Sequence, residues 1–336
     1  MSIQPEGTPV DGLKLPISRL VLGTMTFGDQ TPEADAFAQM DMALERGVNF
    51  FDTAEMYASP PKPETQGATE RVIGRWLKQS GKRDKIVLAS KVAGRTRDMR
   101  WIRPEDQLDD GQVRVTRAQI DYAVEHSLGR LQTDYIDLYQ VHHPDHETPL
   151  EETLSTLDDL VRQGKVRYIG ASNYPAWLLM KALWISDKYG YARFDSLQPH
   201  YSLLHRDEYE REMRAVCDDQ GIGVIPYSPL AAGFLTGKYS RDKREADTTR
   251  ADSGLIKRLL ADERAFDVLE AAQEIAAAHG VPVAQVALAW QLAQPALTAP
   301  IIGARSVAQL QDLVGTAEVV LTDDEIVQLN DMSQGF

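Results

Sequence analysis

The chain carries a single cysteine, Cys217, so no disulfide can form within it. A small extracellular scaffold held by covalent cross-links is thereby excluded. Cys217 falls in a helical stretch at 209–220, where a small buried apolar residue is expected. Long apolar runs are also missing: none approaches the roughly 20 residues that a membrane-spanning helix needs. The opening residues Met1-Ser-Ile-Gln-Pro-Glu-Gly7 lack the basic stretch and apolar core of a secretory signal. A soluble cytoplasmic protein is the expectation. Positive charge is scarce, with 36 Lys and Arg against 50 Asp and Glu and a formal net charge of −14. Such a field disfavours nucleic acid and anionic membrane as partners, while a local basic patch would still admit an anionic cofactor. No metal centre is expected either. The run His142-His-Pro-Asp-His146 gathers ligand-type side chains, but Pro144 blocks a helical His face and no Cys or spaced carboxylate completes a set.

What is present is an alternation. Hydrophobic residues make up 43% of 336, enough for a sizeable core. Short apolar runs at 20–23, 48–52, 86–90, 135–141, 166–171, 196–198, 223–226 and 299–302 read as strands. Between them, 33–46, 69–79, 116–131, 150–163, 175–189 and 206–220 read as helices, with Thr116 as an N-cap. Helices at 262–278 and 283–294, one capped by Ser306 and one at 323–332 follow. Alternating βα units imply a parallel sheet. Eight of them favour one (β/α)8 TIM barrel domain over 1–336, since such barrels take about 250 residues. No Gly-x-Gly-x-x-Gly follows the first strand, so the dinucleotide fingerprint of an open doubly wound sheet is absent. Long connections at 53–68, 92–115 and 228–261 leave strand ends and should surround a site.

Four polar side chains end or follow those strands. They stand in Asn49-Phe-Phe-Asp-Thr-Ala-Glu-Met-Tyr57, Val87-Leu-Ala-Ser-Lys91 and Asp137-Leu-Tyr-Gln-Val-His142. Charged groups that end apolar strands are costly unless paired. Asp52 can pair with Lys91, and Lys91 can address Tyr57. A phenol with an ordinary pKa of about 10 becomes a stronger acid beside an ammonium. His142 can hydrogen-bond a substrate oxygen or relay a proton. Singly, each has a plainer reading: a turn cap for Asp52, a packed loop aromatic for Tyr57, a solvated strand end for Lys91.

The chain resembles the aldo-keto reductase superfamily from about Leu20 to Leu329. The supporting motifs are Leu22-Gly-Thr-Met-Thr-Phe-Gly28, Phe51-Asp-Thr-Ala-Glu-Met-Tyr57, Ser90-Lys-Val92, Asp137-Leu-Tyr-Gln-Val-His142, Gly164-Lys-Val-Arg-Tyr-Ile-Gly-Ala-Ser-Asn173, Tyr227-Ser-Pro-Leu230 and Gly233-Phe-Leu-Thr-Gly-Lys238. Met25-Thr-Phe-Gly28 and Pro63-Glu-Thr-Gln-Gly-Ala-Thr-Glu70 are similar to the bacterial Tas-type branch.

The resemblance implies reduction of a small-molecule aldehyde or ketone with NADPH, NADH being the alternative cofactor. It makes Tyr57 the general acid, with Asp52 and Lys91 lowering its pKa and His142 orienting the carbonyl. Ser172, Asn173 and Gln198 match positions that bind the nicotinamide carboxamide, and Tyr227 the aromatic that stacks on its ring. Gly23, Thr24, Met25 and Asp52 fall at the cofactor floor. Ser228, Leu230, Gly233 and Lys238 would wrap the pyrophosphate, although Lys238 also reads as a solvated loop lysine. Gly303 and Arg305 open a helix and suit a 2′-phosphate, with Gln309 beside the adenosine.

Two positions depart from the family pattern. Leu313 stands where most members carry an Asn facing the adenine, and His143 where many carry a Trp at the substrate pocket. Trp101 either supplies that aromatic wall or packs on the barrel exterior. The rival readings are a cofactor-binding regulatory subunit, like potassium-channel β-subunits, and an aldolase with Lys91 as Schiff-base nucleophile.

Overall fold

The computed structural model describes residues 15–96, 98–244 and 253–336. The reading of residues 1–7 and the middle of the 228–261 connection lie outside the described residues. Eight parallel strands follow the expected order: β1 Val21–Gly23, β2 Phe50–Asp52, β3 Val87–Val92, β4 Ile136–Val141, β5 Val166–Ser172, β6 Phe194–Gln198, β7 Gly223–Val224 and β8 Ile301–Ile302. They pair in sequence, with β8 returning to β1. A parallel bridge from Val224 to Leu297 closes the ring. The Thr298 N–H donates to the Val224 carbonyl at 2.9 Å and the Ile301 N–H to the Pro226 carbonyl at 2.9 Å. The result is a (β/α)8 barrel. β7 and β8 are shorter than expected because Pro226 and Pro300 have no N–H to add to the ladder.

The two-residue period of the strands sorts side chains between inside and outside. Phe50, Ala89 and Leu138 share an inner cluster with Val21, Ile225 and Ala299, and Leu15 and Ile17 join it. Phe51, Leu88, Tyr139, Val141 and Leu197 point outward into the larger core beneath the helices. Two residues further along each inner row stand Asp52, Lys91, Gln140 and Gln198, all buried. The same alternation therefore makes the lower barrel apolar and its C-terminal end polar.

The outer helices are α1 Glu33–Glu45, α2 Ala68–Ser80, α3 Arg117–Leu131, α4 Leu150–Arg162, α5 Ala176–Tyr189, α6 Arg214–Gln220, α7 Gly254–Ala261, α8 Glu263–His279, α9 Val283–Ala293, α10 Val307–Val314 and α11 Asp323–Met332. Three sequence expectations are corrected. The stretch at 206–220 opens with a wide turn at Tyr209–Met213 before α6. The 228–261 connection contains a helix, α7, which buries Ile256 and Leu259 and is capped by Ser253. Thr116 occupies the N-cap of α3, but its hydroxyl makes no cap bond. The Arg117 N–H instead donates to Glu152 Oε1 at 2.9 Å. Among the described residues no single helix is long and apolar enough to cross a membrane.

Helices α2 and α3 cross at a glycine. A Cβ at Gly74 would lie 2.1 Å from the Arg130 carbonyl oxygen. Gly74→Ala must push the two helices apart and is expected to cost about 1–3 kcal/mol, the range for overpacked cores. Urea unfolding would register this as a lower midpoint with an unchanged slope. An unaltered midpoint would contradict this close crossing.

Candidate active site

The polar end of the barrel is organised by one ion pair. Lys91 Nζ lies 2.6 Å from Asp52 Oδ2 and donates to the Thr53 carbonyl at 2.8 Å. Lys91 is wholly buried and Asp52 nearly so. Asp52 Oδ1 accepts from Gln198 Nε2 at 3.0 Å and from Gln140 Nε2 at 3.3 Å. Burial lowers the Lys91 pKa, and Asp52 opposes that shift. Deleting one partner of such a pair strands a buried charge, typically at about 3–5 kcal/mol.

Tyr57 sits above this pair on the turn that follows β2. Its ring centroid is 5.2 Å from Lys91 Nζ and 5.8 Å from the His142 ring, which it meets edge-on. The Glu55 N–H donates to the Lys91 carbonyl and the Tyr57 N–H to the Ala54 carbonyl, so the turn is tied to β3. Burial holds the His142 pKa well below the usual imidazole range, and Lys91 and His143 push the same way. The ring is therefore neutral at physiological pH. Its Nδ1 is buried without a hydrogen-bond partner among the described residues. His143 is exposed and stacks on His142 at 5.0 Å.

Beside His142 runs a fixed polar chain. Ser172 Oγ donates to the Gln198 carbonyl at 2.8 Å. Asn173 Nδ2 donates to the His142 carbonyl at 2.9 Å and to Ser172 Oγ at 3.1 Å. Asn173 Oδ1 accepts from the Tyr227 hydroxyl at 2.9 Å. Burial, reinforced by Glu208 and Tyr57, pushes the Tyr227 pKa up to about 12, so this donor keeps its proton. His200 stacks on the Tyr227 ring at 5.1 Å and on His205 at 3.9 Å.

The remaining predicted residues ring this centre. Thr24 is buried and its hydroxyl donates to the Asp52 carbonyl at 2.8 Å. The Met25 carbonyl accepts from the Ser59 N–H. Gly23 is forced: a Cβ there would lie 2.7 Å from Ile301 Cγ2. After β7 the backbone runs left-handed at Ser228, Ala231, Ala232 and Gly233. A Cβ at Gly233 would meet Lys238 Nζ at 2.7 Å, so Lys238 folds back over this turn, where a free solvated lysine was the other reading. Leu230 is half-buried in the same turn. Gly303 and Arg305 lie exposed ahead of α10. Gln309 Oε1 accepts from the Arg305 N–H, and the Gln309 N–H donates to Ser306 Oγ, the expected cap. Leu313 lies on the core-facing side of α10 and is buried there. Trp101 and Tyr57 are both partly buried against one small cluster that includes Ala54, Met56, Ala93 and Ile102.

Sequence reasoning missed Gln140, Glu55, Arg103 and His200. Gln140 shares the inner row of Leu138 and His142, so the strand period carried its signal. Glu55 stood inside a quoted motif. Arg103 and His200 carried no local signal, because their partners are remote in sequence. A separate cavity of about 670 Å³ opens beyond His205, lined by Leu204, Glu208, Arg258 and Phe336 among others, and does not touch Asp52, Tyr57, Lys91 or His142.

The barrel brings Asp52, Tyr57, Lys91 and His142 together at the C-terminal end of its strands, the face at which (β/α)8-barrel enzymes carry their active sites. A model of the Aldo/keto reductase family matches residues 19–334. The chain is 39% identical over 340 residues to Protein tas of Escherichia coli (strain K12), covering 96% of each chain. It is 41% identical over 322 residues to the uncharacterized oxidoreductase YrpG of Bacillus subtilis (strain 168), covering 96% of this chain and 94% of that one. It is 32% identical over 342 residues to the versiconal hemiacetal acetate reductase of Aspergillus parasiticus, covering 95% and 94%. The chain belongs to the aldo/keto reductase family, whose members are oxidoreductases.

Burial of His200 is expected to make the fold acid-sensitive. Burial first, then His205 and Arg258, bring the His200 pKa from 6.5 down to about 4. Between those values the unfolded chain binds a proton that the folded chain refuses. Stability should therefore be full above pH 6.5 and fall as pH drops toward 4. His200→Phe keeps a stacked ring without the proton. Its urea midpoint should decline less steeply over that window than the parent's, and parallel declines would remove His200 as a source.

Proposed function

We propose that the protein is an NADP(H)-dependent reductase of aldehydes and ketones, working reversibly. The observation that carries this reading is the buried Lys91–Asp52 pair beneath the Tyr57 ring, with neutral His142 alongside. A bound reduced nicotinamide supplies the hydride that the carbonyl carbon accepts. Tyr57 delivers its phenolic proton to the carbonyl oxygen as charge builds there, and Lys91, held by Asp52, favours the resulting phenolate. Neutral His142 hydrogen-bonds the same oxygen and fixes its direction without adding a cation. In the reverse direction the phenolate takes the alcohol proton.

The residues present fit the cofactor. The Asn173 amide is held at both ends, and Ser172 and Gln198 flank it, giving a preorganised polar edge for a carboxamide. His200 backs the Tyr227 ring, so the ring's other face serves as a stacking platform. The left-handed turn at 231–233 under Lys238 suits a pyrophosphate. Arg305, Gly303 and Gln309 suit the adenosine 2′-phosphate. Gly23, Thr24 and Met25 form the floor, and Trp101 and His143 wall the substrate. A disulfide-free acidic chain suits the reducing cytoplasm.

Titration with NADPH and then NADH, followed by intrinsic fluorescence, tests the cofactor. Tight quenching by NADPH is expected, with Arg305→Ala weakening NADPH but not NADH. The loss should be about tenfold or more, the worth of a hydrogen bond to a charged group. Equal binding of both cofactors by the parent would remove the 2′-phosphate role, and no binding of either would end the reductase reading.

Tyr57→Phe is expected to lower kcat by about 10²–10⁴, the usual share of a general acid, with NADPH affinity retained. Undiminished turnover would exclude Tyr57 as the acid. A parent that binds NADPH and turns over no carbonyl would instead join the cofactor-binding regulatory proteins of this fold.

A further inference from the structure

Two segments carry the reacting side of the mouth: the turn after β2, which bears Tyr57, and the connection after β3, which bears Trp101. They are joined by a second buried ion pair. Arg103 Nη2 lies 2.6 Å from Glu55 Oε1, and Nη1 lies 2.7 Å from Oε2. The side chains are 0% and 1% exposed. Glu55 Oε1 also accepts the Ala93 N–H at 2.6 Å, and the Glu55 N–H donates to the Lys91 carbonyl. Glu55 is thus bound to β3 by its backbone and to the following connection by its carboxylate, two residues before Tyr57. Arg103 follows the short helical turn Arg100–Ile102 that holds Trp101, and its N–H closes that turn on the Arg100 carbonyl. Trp101 and Tyr57 each pack against one apolar cluster, whose Ala54, Met56 and Ile102 adjoin Glu55 and Arg103 in the chain.

The contrast with Glu70 and Arg130 is informative. That pair, 2.7 Å apart with Glu70 buried and Arg130 half-buried, joins two outer helices, α2 and α3, and belongs to the scaffold. The Glu55–Arg103 pair joins no helices to each other. A planar guanidinium bound at both prongs fixes distance and angle together, and here both are set between two loops at the mouth.

We propose that the Glu55–Arg103 pair is a positioning latch that sets the separation of the Trp101 wall from Tyr57, and thereby selects carbonyl substrates by bulk. The proposal rests on the reductase reading for its substrate, but not for its structural half.

The test uses the full chain and the double variant Glu55→Gln with Arg103→Met, which leaves no unpaired buried charge. Urea unfolding and NADPH titration first establish that it folds and holds cofactor. Trp101 shielding is then read by acrylamide quenching, as the difference between each protein and its Trp101→Phe counterpart. The kcat/KM ratio is measured for propanal against 2-naphthaldehyde. With the latch removed, Trp101 should become more accessible and the ratio should change by about tenfold or more, the scale of pocket-wall discrimination. The change should lie mainly in KM. A merely structural role would lower both substrates' values together. A folded double variant with parental Trp101 shielding and parental ratio would overturn the latch. If the double variant does not fold, Arg103→Lys decides, since it keeps the charge but loses the two-pronged geometry. A shift in the same direction supports the latch, and an unchanged ratio overturns it. Should the parent reduce neither aldehyde, the reductase reading fails separately, and Trp101 quenching still decides whether the pair holds the wall.

Discussion

The Lys91–Asp52 pair is the constraint around which the mouth is built. An ammonium with no water beside it is tolerated only where a counter-charge and hydrogen bonds replace the lost hydration. Asp52 supplies the first and the Thr53 carbonyl part of the second. Asp52 then needs its own donors, and Gln198 and Gln140 provide them. Four strands, β2, β3, β4 and β6, are therefore coupled through one carboxylate. Their register is fixed at the C-terminal end by polar bonding, as it is fixed lower down by apolar packing.

That arrangement also explains why His142 is neutral. A second cation close to Lys91 would be repelled and desolvated at once, and both effects lower the His142 pKa. The outcome is a division of labour within a few ångströms: one ammonium balanced by Asp52, and one uncharged ring free to hydrogen-bond. A neutral imidazole can orient a carbonyl oxygen without competing with the phenol for the developing negative charge.

Much of this was legible in the sequence because the strand period is short and strict. Apolar runs located all eight strands, and the polar residues at their ends fell in one layer by construction. Gln140 obeyed the same rule and was passed over only because a glutamine inside an apolar run looks unremarkable beside charged neighbours. What was not legible depends on partners far away in the chain. Arg103 is 48 residues from Glu55, and nothing local marks either as half of a pair. Helix α7 was obscured by the polar residues that surround it, although Ile256 and Leu259 carry its buried face. Leu313 could be placed in an adenine site only by analogy. Its place on the buried face of α10 makes it a core residue, so the missing Asn is a matter of packing as much as of recognition.

The loops of the mouth are anchored by two different physical means, and the difference suits the tasks proposed for them. The connection bearing Trp101 is held by charge, through Glu55 and Arg103, at the rim of the barrel mouth. The turn after β7 is held by backbone geometry. Ala231 and Ala232 are left-handed and adjoin Gly233, and non-glycine residues pay about 1–2 kcal/mol each for that conformation. The turn persists because Ala231, Phe234 and Leu235 are buried and pin it from below. Side-chain anchoring would crowd a segment proposed to bring its amides close to a phosphate, whereas apolar pins beneath a left-handed turn leave its upper face open. The strain lies where a phosphate would be bound, and the burial that sustains it belongs to the core of the barrel.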